Sequence, residues 1–578
     1  MSLPLGVCVL IKPPENKAQS VNYAHYIFEI LTHAGLCYAR IEPGKLIHEL
    51  PNLKLLVTVG EQEFDGSLKQ RLAEWVRAGN GWLSIGGVCG MSDVLGVDHL
   101  PPSFANWSGG ACLMGEGYML PRQTHVVLGH LPRGLHFFGG IALKATTSQV
   151  ISGSVDAHCR NEYHNVLFEY RPERGRTMTL AVDLTGTIVR IQQGTAVTRD
   201  GIPAPDGTAP VADAVLKSGD GAVLDWIFDR DPVKGAFGLS AFLEPVADQW
   251  REVVLRAIFH LASVQKIPLP LLWLYPRKLR AIAHLSHDTD NNEPEKARVL
   301  LEILREAQIH STWCTILPGY DPALMNDIKQ AGHELATHYD AMTGTQGLTW
   351  GEAQFDEQHR KLVELFGAQP VTNKNHYLRW EGDCEFFDWC VKRGIQLDQS
   401  KGPSKTGEAG FNFGTCHPYL PVTFDNRTID VLELPTLTQD LVVFAPPSLL
   451  DGLIDGVKRV HGILHLLFHP AHLHRPEVRD ALKGAIDRAK REGMEWWTAR
   501  QINAWERGRH TIAWSNFAFD ANNTTVNLRA SVDLVDATLL FLSPKPSEVS
   551  AWGFNFIATT QTIRGNTDCT VRANVELA

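Results

Sequence analysis

Between residues 279 and 505 the chain repeats one unit: a short apolar run, a polar tip, then an amphipathic segment with its own start and stop signals. Pro294 opens a helix expected to run to about Glu306. Asp321 and Pro322 supply an N-cap and a first-turn proline for the next helix, which Gly332 ends. Thr349 and Glu352 have capping-box spacing before a third. Strands separated by helices of this length pair in parallel, because antiparallel neighbours are joined by short hairpins. A series of such βα units predicts a (β/α) barrel over 279–507.

The flanks read differently. Residues 1–268 place apolar runs at Gly6–Ile11, Leu55–Val59 and Trp82–Ile85, with helical patterns at Val21–His33 and Ser67–Arg77 between them. That alternation predicts a doubly wound α/β domain. Alternating stretches such as Thr177–Val182 add antiparallel strands to it. The proline-rich IPLPLLWLYPRK marks a boundary near 267–278. After 508, the runs TVNLRASVDL, ATLLFLS, FNFIATTQTI and CTVRANVEL predict a small antiparallel β-sandwich over 508–578. Trp514 or Trp552 could bind a glycan there, although small sandwiches bury aromatics routinely and a packing module is the favoured reading.

Composition narrows the function classes. A chain of 578 residues exceeds one core and suggests about three domains. Its net charge of −10 argues against a nucleic-acid or anionic-membrane partner. The ten cysteines form no CxxC pair, which leaves neither a thiolate zinc site nor an evident disulfide framework. No apolar run approaches the roughly 20 residues of a membrane helix. The first residues lack a basic segment followed by an apolar one. A soluble protein is expected, with the cytoplasm slightly favoured and homo-oligomerisation left open.

The ionisable residues of the middle region fall at strand ends. RAIAHLSHDTD is an apolar strand ending in Asp288 and Asp290, which share a side if the chain stays extended. HELATHYD places His338 after a second short strand, and VTNKNHYLRW brings Lys374, Asn375 and His376 after a third. GILHLLFHP ends in His469; the four-residue spacing of His461, His465 and His469 also suits a helix, but Gly462, Pro470 and the short apolar length favour a strand. In a parallel barrel these tips meet at the C-terminal rim, where catalytic residues collect.

Asp-x-Asp, then GHExxxH, then a basic and aromatic loop, then an apolar strand ending in His: this order resembles the polysaccharide-deacetylase (NodB-homology) family over about 279–505. EGMEWWTARQINAW is similar to that family's last strand and helix. The resemblance implies a divalent metal, usually zinc, on Asp290 and His338. It implies Asp288 as the base for an attacking water and His469 as the acid for the leaving amine. The implied reaction cleaves an N-acetyl amide or ester, a non-peptide bond on a carbohydrate-type substrate. Where the family carries a second metal histidine this chain has Met342, and a thioether is a weak ligand for zinc. His376 is the favoured replacement, with Asp340 as the other. Lys374 takes the place of the family's arginine. Asn375, Arg379, Trp380 and His417 are further candidates for contacting substrate. The Met342 substitution also motivates a second reading, a polysaccharide-binding or scaffold protein that has lost activity.

LKQRLAEWVRAGNGWLSIGG, HVVLGHLPRGLHFFGG and GRTMTLAVDLTGTIVRIQQG resemble the class I glutamine-amidotransferase-like fold in a non-catalytic form. A working site would need Cys89 on a tight glycine turn and a His-x-Glu, and neither the second glycine nor that motif is present. Cys89 is expected to be buried and inert.

Overall fold

The computed structural model describes residues 3–10, 22–101, 112–209, 215–342 and 349–576. The βα repeat folds into eight parallel strands. Their order is Leu432–Glu433, Leu397–Asp398, Thr372–Asn375, Glu334–Tyr339, Thr312–Thr315, Ile282–Asp288, Ile463–Leu467 and Thr438–Gln439. Glu495–Trp496 pairs with Ile282 and Ala283. The sheet curls into a half-barrel and does not close. Among the described residues its two outermost strands, Leu432–Glu433 and Thr438–Gln439, are linked by the chain between them and by no ladder.

Local signals explain most of the helices. Asp321 Oδ1 accepts the N–H groups of Ala323 and Leu324, each at 3.0 Å, and so caps helix Pro322–Gln330. Helix Pro294–Ala307 begins at its proline and turns off through Gln308 in the left-handed region. Thr349 does not cap the third helix. Tyr339 Oη holds Gly351 through its N–H at 3.0 Å and its carbonyl at 3.2 Å, so the chain enters extended and helix Glu352–Phe366 starts with Gly351 at the N-cap.

The N-terminal region forms an eleven-stranded sheet. Strands Ala39–Arg40, Leu5–Val9, Leu55–Val59, Gly81–Ile85 and Arg176–Leu180 run parallel, and Glu162–Tyr170, Gln149–Asp156, Leu113–Pro121 and Leu135–Ile141 continue it antiparallel. The expected helix from Val21 begins only at Ile27, after a short 3-10 turn at Ala24–Tyr26; Val21 itself lies outside the described residues. Cys89 is fully buried and burial pushes its thiol up to about 12, which fits an inert residue.

The proline-rich stretch is structured. Pro270–Leu272 is an edge strand paired antiparallel with Leu534–Ser543, where a proline in first position removes no needed hydrogen bond. Phe554–Ile563 and Val549–Ala551 extend that sheet; Ala513–Phe519, Asn523–Arg529 and Cys569–Asn574 form a second. Trp552 is buried against Phe259 and Trp273, with ring centroids 5.6 and 5.2 Å apart, and so offers no glycan face. Helix Val246–Val264 ties the parts together. Its Asp248 accepts Thr415 Oγ1 at 2.7 Å and the Cys416 N–H at 2.9 Å from the half-barrel, while its Phe259 meets Phe554 and Phe556.

A second tie joins helix Ile27–His33 to helix Ala499–His510. His510 Nε2 lies 3.2 Å from Glu29 Oε1, and His33 Nδ1 lies 2.7 Å from Glu506 Oε1. Burial acts to lower the His510 pKa, but Glu29 and Glu506 outweigh it and lift it to about 9. A folded-state value above the unfolded one of about 6.5 stabilises fully below that pH and ceases to do so as pH rises through about 9. We therefore expect the melting temperature to fall between pH 7 and 9.5. His510→Gln should cost about 1–3 kcal/mol near pH 6.5 and flatten that decline, as melting curves across this pH range would show.

Candidate metal centre

The parallel strands all point their C-terminal ends to one rim, and the polar tips gather there. Strand Ile282–Asp288 ends on Asp288, and the chain then turns through Asp290 at φ 39°. The two carboxylates thus converge through a left-handed turn, where simple extension was expected. Strand Glu334–Tyr339 carries His338, His376 follows strand Thr372–Asn375, and His469 lies just past Ile463–Leu467, which is a strand as expected.

Asp290 Oδ1 is 3.5 Å from His338 Nε2 and 3.8 Å from His376 Nε2, and the three donor atoms all lie within 4.8 Å of one another. Zinc bonds of roughly 2.0–2.1 Å in a tetrahedron place ligand atoms about 3.3–3.5 Å apart, so the set fits a small divalent ion. The donors also lack other work. His338 Nε2, Asp290 Oδ1 and Asp288 Oδ1 are buried and have no hydrogen-bond partner. Burying such groups unpaired costs several kcal/mol, a cost a cation would offset.

Neighbouring bonds fix the tautomers that coordination needs. His338 Nδ1 donates to the Lys374 carbonyl at 2.9 Å, which turns Nε2 towards Asp290. His376 Nδ1 lies 3.0 Å from Asp340 Oδ1, with the same consequence for its Nε2. Asp340 therefore orients the imidazole and stands behind it. Met342 Sδ instead accepts Arg379 Nη1 at 3.7 Å.

Asp288 and His469 border the same point. Asp288 Oδ2 is 3.7 Å from His338 Nε2 and 3.9 Å from His469 Nε2, and His469 Nε2 is 3.7 Å from Asp290 Oδ2. On the far side of its ring, His469 Nδ1 bonds Asp440, which also meets His472 Nδ1 at 3.1 Å. Burial acts to lower the His469 pKa, but Asp440, joined by Asp288 and Asp290, outweighs it and lifts it to about 9. For Asp290, burial acts upward and the imidazoles of His338, His469 and His376 prevail, holding the carboxyl below its usual range.

Sequence reasoning missed Asp440 and His472. Asp440 follows a strand of only two residues, Thr438–Gln439, too short to announce itself by periodicity. The one available signal was its type: a carboxylate directly after a short strand within the βα repeat. The expected substrate contacts fare differently. Lys374 is buried beneath the centre, 3.8 Å from Asp288 Oδ1 and donating to Ser286 Oγ at 3.1 Å. Asn375 is buried and donates to the Arg379 carbonyl at 3.1 Å. Arg379 is buried beside Glu381, and Trp380 is 0 % exposed with its Nε1 on the Asp383 carbonyl at 3.1 Å; neither can line a groove. His417 is not at the rim. It sits beside the N-terminal ends of the strands, next to Cys416, whose carbonyl takes the Ile463 N–H, and its Nε2 bonds the Val460 carbonyl at 2.9 Å.

No protein-family profile matches the chain, and no curated protein sequence matches it. Among solved structures, Agd3, titled a novel carbohydrate deacetylase, is similar over 99% of both chains at 8% identity and a TM-score of 0.40. A provisionally assigned polysaccharide deacetylase from Mycobacterium smegmatis is similar over 40% of this chain and 92% of its own, at 18% identity and a TM-score of 0.33. A mutant of BA3943, titled a CE4 family pseudoenzyme with restored activity, covers 40% of this chain and 69% of its own at 14% identity and a TM-score of 0.25. Likenesses this distant carry no weight for activity, which rests on the geometry above.

If His376 is the third donor, His376→Ala should weaken zinc binding at least tenfold, whereas Met342→Ala should change it less than about twofold. Titration of metal-free protein with zinc against a chromophoric chelator would measure both.

Proposed function

We propose that the protein is a metal-dependent hydrolase of the polysaccharide-deacetylase type, cleaving an N-acetyl amide or ester on a carbohydrate-type substrate. One observation carries this reading: donor atoms of Asp290, His338 and His376 lie within 4.8 Å of one another, and Asp288 and His469 border the same cluster. Asp290 Oδ1, His338 Nε2 and His376 Nε2 would hold the ion. A divalent ion bound there supplies Lewis-acid polarisation of a carbonyl and makes a water acidic near neutral pH.

The chain's own groups then divide the proton traffic. Asp288 borders the donors without belonging to them, and its carboxylate accepts the proton of the attacking water. Lys374, behind Asp288 and 0 % exposed, supports that carboxylate from the side away from substrate. His469 is kept protonated by Asp440 and presents its Nε2–H towards the two aspartates, where a leaving amine would pick up the proton. An acid and a base thus border one cluster, as amide cleavage requires, because the leaving nitrogen must gain the proton that the water loses.

Asp288→Asn should lower acetate release from N- or O-acetylated oligosaccharides by about 10²–10⁴-fold while the metal content stays at that of the parent. Asp440→Asn should lower it by roughly 10–100-fold, because His469 loses the partner that orients and charges it. Elemental analysis alongside the assay separates lost chemistry from lost metal. A protein that takes up no stoichiometric metal, yet binds the glycan, would favour the binding-protein reading.

A further inference from the structure

The loop that delivers His376 is not self-supporting. Tyr377 and Leu378 both lie in the left-handed region, at φ 61° and 51°. For residues with a side chain, each such conformation costs of order 1–2 kcal/mol and persists where surrounding structure over-determines it. The restraint comes from the N-terminal region of the chain. Val197 and Gly382 exchange both backbone hydrogen bonds at 2.9 Å, and the Trp380 N–H donates to the Leu216 carbonyl at 3.1 Å. Lys217 pairs with Arg379 as a further antiparallel bridge, and its Nζ lies 5.7 Å from the centre of the Tyr377 ring.

These contacts form a strap. Two segments roughly 160–185 residues earlier in the chain grip 379–382, immediately after the strained pair, while Asn375 Nδ2 holds the Arg379 carbonyl at 3.1 Å from within. The strap's backbone groups have nowhere else to bond, since Val197 is buried at 2 % exposure and an unpaired N–H there would carry its full desolvation cost. Asp340 orients the His376 ring, but only the loop's path sets where that ring begins.

We propose that the N-terminal segments around Val197 and Leu216–Lys217 are positioning elements of the metal centre, clamping the 376–382 loop so that His376 reaches Asp290 and His338. The inference rests on the metal reading of that centre. It gives the N-terminal region a role in the half-barrel's chemistry without any residue of its own at the reacting atoms.

Cobalt(II) binding tests it, since the visible spectrum of the bound ion reports the number and type of its ligands. Val197→Pro deletes the N–H that Gly382 accepts, whereas Val197→Ala keeps it. Val197→Pro should bind Co2+ at least tenfold more weakly and with an altered visible spectrum; Val197→Ala should match the parent in both. Overall destabilisation alone would lower the melting temperature of both variants and leave the spectrum of the bound ion intact. Hydrogen–deuterium exchange on the unmodified chain gives a readout independent of how the variants fold. Saturation with Co2+ should slow exchange in peptides covering 376–382 and in those covering 195–199 together. A parent that binds Co2+ while Val197→Pro binds it identically, or protection confined to 376–382, overturns the clamp and leaves the metal reading standing. A parent that takes up no Co2+ overturns both.

Discussion

Three buried polar atoms without partners set the terms for this molecule. His338 Nε2, Asp290 Oδ1 and Asp288 Oδ1 are buried close to one another with no hydrogen-bond partner. Leaving such groups unpaired is costly, and a bound cation would offset that cost. The surrounding architecture follows from that point. Every atom that aims a donor, the Lys374 carbonyl behind His338, Asp340 behind His376 and Asp440 behind His469, is itself buried and fixed by a strand end or the turn after it.

Beneath the centre the half-barrel interior is polar. His284 and His465 stand opposite each other on adjacent strands with ring centroids 4.5 Å apart. Gln399 Nε2 bonds His284 Nε2 at 2.8 Å, and Ser286 Oγ links His465 to Lys374. Burial holds both rings well down the scale, His284 at about 4, so they pack as neutral donors and acceptors. Apolar packing lies elsewhere, in a cluster that includes Leu285, Leu300, Trp313 and Leu466. A satisfied hydrogen-bonded interior fixes side-chain positions more narrowly than an apolar one, which suits a platform for a metal centre.

Much of the half-barrel was legible in the residues. Asp321 and Pro322 cap the helix they were expected to cap, and the strand ends carrying Asp288, His338 and His469 fall at one rim. The misses share a cause. Trp380, Arg379 and His417 were read as candidates for contacting substrate, and all three are buried: Trp380 lies against Lys401 at 3.9 Å and Leu216, His417 against His33 with ring centroids 4.9 Å apart. Thr349 lost its capping place to a tyrosine hydroxyl ten residues back. Burial from afar leaves no periodicity in the segment that is buried.

By itself, the sequence determined the parallel βα order and which side chains end the strands, because hydrophobic period, proline and capping residues act over a few neighbours. Only the tertiary structure decided that His376 takes up the position beside Asp290 while Met342 turns to Arg379. It also decided that Asp440 stands behind His469, and that residues 197 and 216–217 pair with the backbone of 379–382. Those outcomes depend on the curl of the sheet and on contacts between segments well separated along the chain, which no local pattern encodes.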